Sequence, residues 1–162
     1  MNYRESLFDL VDRIRQNDES AKVVQLDSRL DSVENLSILD ALKKNTMVKH
    51  LFVNQLSQEG LLKLSAVMKC NNSVQFLYIS IERGLNRNGL FITMATSGSW
   101  SSIQVLQLFY GDTNIDPLSL REAGNISNFV IQNENLRFFS LYIVGDEAAP
   151  ILETLSRTDI KV

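Results

Sequence analysis

The feature that most constrains this chain is a stretch that says the same thing twice. Between Met47 and Ser80, the segments Val48-Lys-His-Leu51-Phe-Val53 and Val74-Gln-Phe-Leu77-Tyr-Ile79 share one apolar template, 26 residues apart from Leu51 to Leu77. The polar-then-amphipathic segment between them has the length of one helical return. A period of about 20 to 50 residues marks units that cannot bury their own apolar faces and must stack on their neighbours. The anchors Val24, Leu51, Leu77, Leu106 and Phe139 continue the template at intervals of 27, 26, 29 and 33. Each interval leaves room for the helical crossover that parallel strands require, and such crossovers are right-handed almost without exception. The reading is an α/β fold: a right-handed β-α solenoid with a parallel sheet on the concave face and helices on the convex face. Residues 1–162 form one domain in it.

Taken in order, residues 3 to 16 place Leu7, Leu10, Val11 and Ile14 at helical spacing, which makes 1–18 an N-terminal capping helix with one buried stripe, ended by Asn17 and Asp18. The repeats occupy 19–162. A first strand at 23–27 points Val24 and Leu26 inward. A helix with Val33, Leu36, Leu39 and Leu42 on its buried face follows, closed by Asn45. Ser57 is the expected N-cap of the next helix, which buries Leu61, Leu64, Val67 and Met68. Cys70-Asn71-Asn72 then repeats the part of Asn45. Arg83 to Gly89 reads as a loop before a short helix with Leu90, Phe91 and Met94, stopped at Ser97-Gly-Ser99. After a strand over Ile103 to Leu108, Asp116 and Pro117 cap a long return that buries Ile126, Phe129 and Val130, and Gly124 marks an expected break. Leu136 to Leu141 is the fifth strand. Pro150 is tolerated only in a first turn, so the last helix is expected to start near Ala148 or Ala149, and Asp159 to Val162 reads as a sixth strand cut short.

Composition narrows the function. With 44% hydrophobic and 22% charged residues the chain is ordinary globular protein. A net charge of −3 without a Lys/Arg cluster argues against a nucleic-acid partner. No apolar run reaches the roughly 18 residues of a membrane span, and the alternating charges of MNYRESLFDLVDRIR are not a secretory signal. With a single cysteine, Cys70, a cytoplasmic protein is expected, and the sequons at Asn35, Asn71 and Asn125 carry no weight.

The phrases LSILDALKKNTMVKHLFV and EGLLKLSAVMKCNNSVQFLYIS resemble the helix-end asparagine and following strand of ribonuclease-inhibitor-like leucine-rich repeats, over roughly residues 18 to 145 and most closely over 33 to 80. Within that group, the helix ending in Arg15-Gln-Asn-Asp18, the strand after it and ALKKNTMVKHL look most like the leucine-rich domain of tropomodulins, the actin pointed-end cappers. The resemblance implies about five leucine-rich repeats and a regulator acting on an enzyme or on a cytoskeletal filament. The chain departs from the pattern L-x-x-L-x-L-x-x-N, which would put an asparagine at Leu56, whereas Asn54 follows Val53 directly. Other hydrogen bonds are expected to hold the upper turns.

Alternation along the strands turns the inward anchors into a prediction of what faces outward. Three columns result: Val23, His50, Phe76, Val105, Phe138; then Gln25, Phe52, Tyr78, Gln107, Ser140; then Asp27, Asn54, Ser80, Phe109, Tyr142. Phe52, Phe76, Tyr78, Phe109, Phe138 and Tyr142 are six of the twelve Phe and Tyr in the chain, all outside the core by this count. The face covers roughly 250 Å², enough to anchor a peptide or a helix. His50, Phe52, Phe76, Tyr78, Val105, Gln107, Phe109, Phe138 and Tyr142 are therefore the candidate partner-binding residues of a non-catalytic protein-interaction module. Self-association through the same face is a further reading. A one-residue slip of register would exchange inward and outward sets, so register decides the matter.

Catalytic chemistry finds little support. His50 and Cys70 are the only members of their types and fall on a strand and a helix end, with Cys70 expected to pack as a small buried hydrophobe. They cannot supply a zinc site, and Gly84-Leu-Asn-Arg-Asn-Gly89 lacks the Lys-Ser/Thr of a phosphate loop. The acids Asp9 and Asp12, and Asp146 and Glu147, are read as solvated or dipole-facing. Trp100 is expected to tuck over the fourth unit. No enzyme, cofactor or metal is predicted.

Overall fold

A computed structural model describes residues 7–26, 33–81, 86–96, 98, 100–110 and 119–142. The elements are α1 (Leu7–Arg15), a 3-10 turn (Glu19–Ala21), β1 (Val23–Leu26), α2 (Val33–Leu42), β2 (His50–Leu56), α3 (Gln58–Met68), β3 (Phe76–Ile81), α4 (Arg87–Thr96), β4 (Val105–Tyr110), α5 (Leu120–Gln132) and β5 (Phe138–Tyr142). The strands form one parallel sheet in the order β1-β2-β3-β4-β5, and successive helices touch one another in the same sequence. This is the α/β architecture of a β-α solenoid, strand and helix alternating through each repeat.

Register follows the anchors. Val24, Leu51, Leu77, Leu106 and Phe139 lie side by side, and Leu26, Val53, Ile79, Leu108 and Leu141 form the next inward row. Every member except Leu141 is at most 1% exposed. Each such side chain contributes about 1.5–3 kcal/mol relative to an exposed one, so a slipped register would forfeit the core.

The helix ends explain the asparagines. Arg15 is followed by Asn17 at φ 55°, with Asn17 N–H donating to the Ile14 carbonyl at 3.2 Å and Asp18 N–H to that of Arg13 at 3.0 Å, the paired bonds of a left-handed helix stop. Asn45 Nδ2 then donates to the Ile14 carbonyl at 2.6 Å, while its Oδ1 accepts from the N–H groups of Met47 and Val48 at 2.9 and 2.7 Å. One repeat on, Asn71 Nδ2 donates to the carbonyls of Leu42 and Asn45, and its Oδ1 accepts from Ser73 and Val74 N–H. Each amide thus satisfies helix-end carbonyls of the previous repeat and starts its own strand. Asn133 Oδ1 accepts from Trp100 N–H at 2.6 Å.

Several expectations are corrected. In α2 the buried face is Asn35, Ile38, Leu39 and Leu42, and Leu36 is half-exposed; a strict three-residue spacing drifts off a face that recurs every 3.6 or so residues. Residues 87–89, read as loop, are the first turn of α4, capped by Asn86 Oδ1 accepting from Gly89 N–H at 3.1 Å. β4 begins at Val105 and β5 at Phe138, since Ile103 and Leu136 belong to the preceding turns. The described helix α5 is capped by Ser119, whose side chain accepts from Glu122 N–H while Glu122 returns a bond to Ser119 N–H. Gly124 does not break it, because burial of Ile126, Phe129 and Val130 outweighs a propensity cost of about 1 kcal/mol.

Asn54 sits within β2. Three steps from Val53 to Leu56 oppose two from Ile79 to Ile81, a bulge at which Gln55 takes φ 55°. Leu56, where the leucine-rich pattern expects asparagine, is fully buried. The predicted position of Asp27, the Asp116-Pro117 cap, the helix near Ala148 and the sixth strand lie outside the described residues.

Candidate protein-binding face

The sheet's outer face is built from the register. Val23, His50, Phe76, Val105 and Phe138 form one row, and Gln25, Phe52, Tyr78, Gln107 and Ser140 the next. The third row holds Ser80, Phe109 and Tyr142, the bulge having carried β2 out of register before Asn54 could join it. His50, Phe52, Phe76, Tyr78, Val105, Gln107 and Phe138 are all half-buried, and Phe109 is 43% exposed. Tyr142 is placed by its backbone alone.

In-register parallel strands hold like positions about 4.8 Å apart, which is stacking distance for rings. His50 and Phe76 stack with centroids 4.3 Å apart and planes within 4°, and Phe52 and Tyr78 at 4.5 Å and 5°. Such pairs contribute about 0.5–1.5 kcal/mol beyond their buried area. Rings stacked across strands stand upright on the sheet, so they show solvent their edges and form a rigid ridge over β2 and β3. Val105 and Gln107 on β4 carry no ring, and the aromatic surface resumes at Phe109 and Phe138.

A further row escaped the reading of the sequence. Lys22, Lys49, Gln75, Gln104 and Arg137 each stand two residues before an anchor. Alternation alone would turn them inward, but they precede the strands, and Gln75 and Gln104 line an open polar groove of about 400 Å³ with Asn72, Ser101, Ser102 and Asn135. The spacing of two from each anchor was the available signal. Four residues before Lys22 in the chain, the Asp18 carboxylate is held below the usual range by the Ser20 hydroxyl and then the Ser20 N–H.

The two reactive side chains stay apart in role: His50 joins the aromatic row, and Cys70, expected to be buried, is exposed just beyond α3, because the helix end turns it away from the core. No group of three His, Cys, Asp or Glu could hold a metal ion among the described residues, and no described helix is long and apolar enough to cross a membrane. Trp100 is fully buried, edge-on to Phe129 with centroids 5.2 Å apart, and belongs to the core.

No family model matches the sequence, and no curated protein is significantly similar to it. Among solved structures that match its fold is one described as "Leiomodin-1 Actin-Binding Site 2 (ABS2)", with TM-score 0.63 and 18% identity over 94% of this chain and 89% of that one. The likeness is one of fold: the same β-α solenoid serves, in that protein, as an actin-binding site.

Proposed function

We propose that this chain is a cytoplasmic, non-catalytic protein-interaction module that takes a protein or peptide partner on the aromatic face of its sheet. The observation that carries this reading is the pair of ring stacks, His50 on Phe76 and Phe52 on Tyr78, held rigid and half-exposed outside a complete core. A face of roughly 250 Å² is well below the about 800 Å² per partner of a standard interface, so it anchors a peptide or a helix, and a globular partner must also touch the rims.

Actin binding is a second reading, favoured by the matched actin-binding domain and by the tropomodulin-like phrases around Asn45. Tyr78→Asp and Phe109→Asp are expected to keep the circular dichroism spectrum and a cooperative unfolding transition, with the midpoint of Tyr78→Asp lowered by loss of its stack on Phe52, while losing capture of a partner from cell extract. Gln25→Asp and Ser140→Asp, at the two ends of Tyr78's own row, serve as controls. Retained capture by both aromatic variants sinks the face as the site. Co-sedimentation of the chain with actin filaments decides the second reading, and a strict monomer in sedimentation at two concentrations removes self-association.

A further inference from the structure

The row that enters the sheet just ahead of the aromatic columns carries charge that the fold leaves unused. The Lys22 carbonyl accepts from the N–H groups of Lys49 and His50, that of Lys49 from Gln75 and Phe76, that of Gln75 from Gln104 and Val105, and that of Gln104 from Arg137 and Phe138, all at 2.8–3.1 Å. Lys22, Lys49 and Arg137 are thereby fixed along one border of the face. Three other cations pair with an acid one turn away: Arg15 with Asp12, Lys43 with Asp40 and Lys63 with Glu59. Lys22 and Arg137 are exposed, Lys49 is half-buried with Nζ 3.3 Å from the Thr46 carbonyl, and none of the three forms a salt bridge among the described residues.

The wider charge distribution agrees. The five helix-to-strand turns, 15–22, 43–50, 69–75, 98–104 and 133–137, hold seven cations against three acids, on a chain whose net charge is −3. Arg15, Lys43, Lys44 and Lys69 are accounted for by the negative ends of helix dipoles, which Lys22, Lys49 and Arg137 lie beyond. Ring orientation is an independent observation: the ridge presents ring edges, the positive rim of the aromatic quadrupole. The cations select oxygen acceptors, and the ring edges admit apolar side chains as well as oxygens.

We infer that the face takes an acidic protein segment, laid across the strands with its carboxylates on Lys22, Lys49 and Arg137 and its apolar side chains against Phe52, Phe76 and Tyr78. The inference rests on the aromatic face being the site. Lys22 and Lys49 are one strand apart and Arg137 three strands further, about 14 Å, which an extended segment covers in about four residues. Between them, Gln75 and Gln104 open on the polar groove with side-chain amides that have no hydrogen-bond partner among the described residues, placed to take the segment's main chain.

The test is selection of a phage-displayed library of random peptides about 16 residues long, ample for the roughly 19 Å between the first and fifth strands. The targets are the full chain, the triple variant Lys22→Glu, Lys49→Glu, Arg137→Glu, and Tyr78→Asp, each checked for folding by circular dichroism. Wild type is expected to enrich peptides combining Asp or Glu with apolar residues, whose binding by fluorescence anisotropy weakens about tenfold between about 0.05 and 0.5 M salt. The triple variant loses them and enriches basic peptides. Lys22→Gln with Arg137→Gln, which touches exposed side chains only, gives the same comparison where the triple variant does not fold. Peptides without acidic bias that are lost with Tyr78→Asp overturn the inference and leave the aromatic site standing, whereas peptides indifferent to Tyr78→Asp overturn both. An absence of enrichment, tighter binding of a mixed-sequence single-stranded oligonucleotide, or a dimer dissolved by charge reversal likewise overturns it.

Discussion

Asn71 ties three peptide segments together with one amide, donating to the carbonyls of Leu42 and Asn45 and accepting from the N–H groups of Ser73 and Val74. Asn71→Leu leaves the Ser73 and Val74 N–H groups without their acceptor, while the Leu42 and Asn45 carbonyls keep the Asn45 N–H and the Ser73 hydroxyl, and is expected to cost roughly 2–4 kcal/mol in urea titration; a change within about 0.5 kcal/mol would show that the turn finds other partners. Trp100 makes the opposite case. It stands six residues before Leu106, as Asn45, Asn71 and Asn133 stand before their anchors, but its Nε1 is buried with no hydrogen-bond partner among the described residues. Trp100→Phe is therefore expected to cost less than about 1.5 kcal/mol and Trp100→Ala about 3–5 kcal/mol, and equal losses would assign the N–H a partner. Asp18 adds a pH dependence of known sign. Its folded pKa is lowered by Ser20, so its contribution is present above the ordinary carboxylate range and lost as pH falls through the lower folded value. At this scale the helix-stopping asparagines were legible, because few other residues end a helix before a strand. Their bonds across repeats, and the exposure of Cys70, were not, since both depend on what the previous turn places alongside.

Among the elements, α5 shows local signals and packing at odds. Gly124 predicts a break, yet the helix runs from Leu120 to Gln132 under a Ser119-Glu122 capping box. Gly124 is exposed, and a Cβ added there meets nothing within 4 Å. Gly124→Ala is expected to stabilise by about 0.4–1 kcal/mol and Ser119→Ala to destabilise by about 1 kcal/mol in the same titration. A loss on Gly124→Ala would mean that the helix is not continuous there. Strand existence and phase were legible at all five anchors, because burial of one face imposes a period of two. The bulge at Gln55 was not, for a residue inserted into one strand is defined only against its partner strand.

Across the whole molecule, a stack in which each repeat touches its neighbours has a middle and two ends. Amides of β3, flanked by β2 and β4, are expected to exchange hydrogen most slowly, with those of β1 and β5 faster; uniform protection across the sheet would indicate a single cooperative unit instead. The aromatic columns also belong to this scale. That Phe52, Phe76 and Tyr78 lie outside the core followed from the repeat between Met47 and Ser80 alone, since equal spacing of anchors places their neighbours in equal positions. That those rings stack edge-outward, that Lys22, Lys49 and Arg137 border them, and that Asn54 leaves the row required the tertiary structure. Periodicity determines which face a residue takes, because burial of the anchors enforces it. Orientation and neighbourhood are set by distances between strands that are remote in sequence, and no local pattern encodes those.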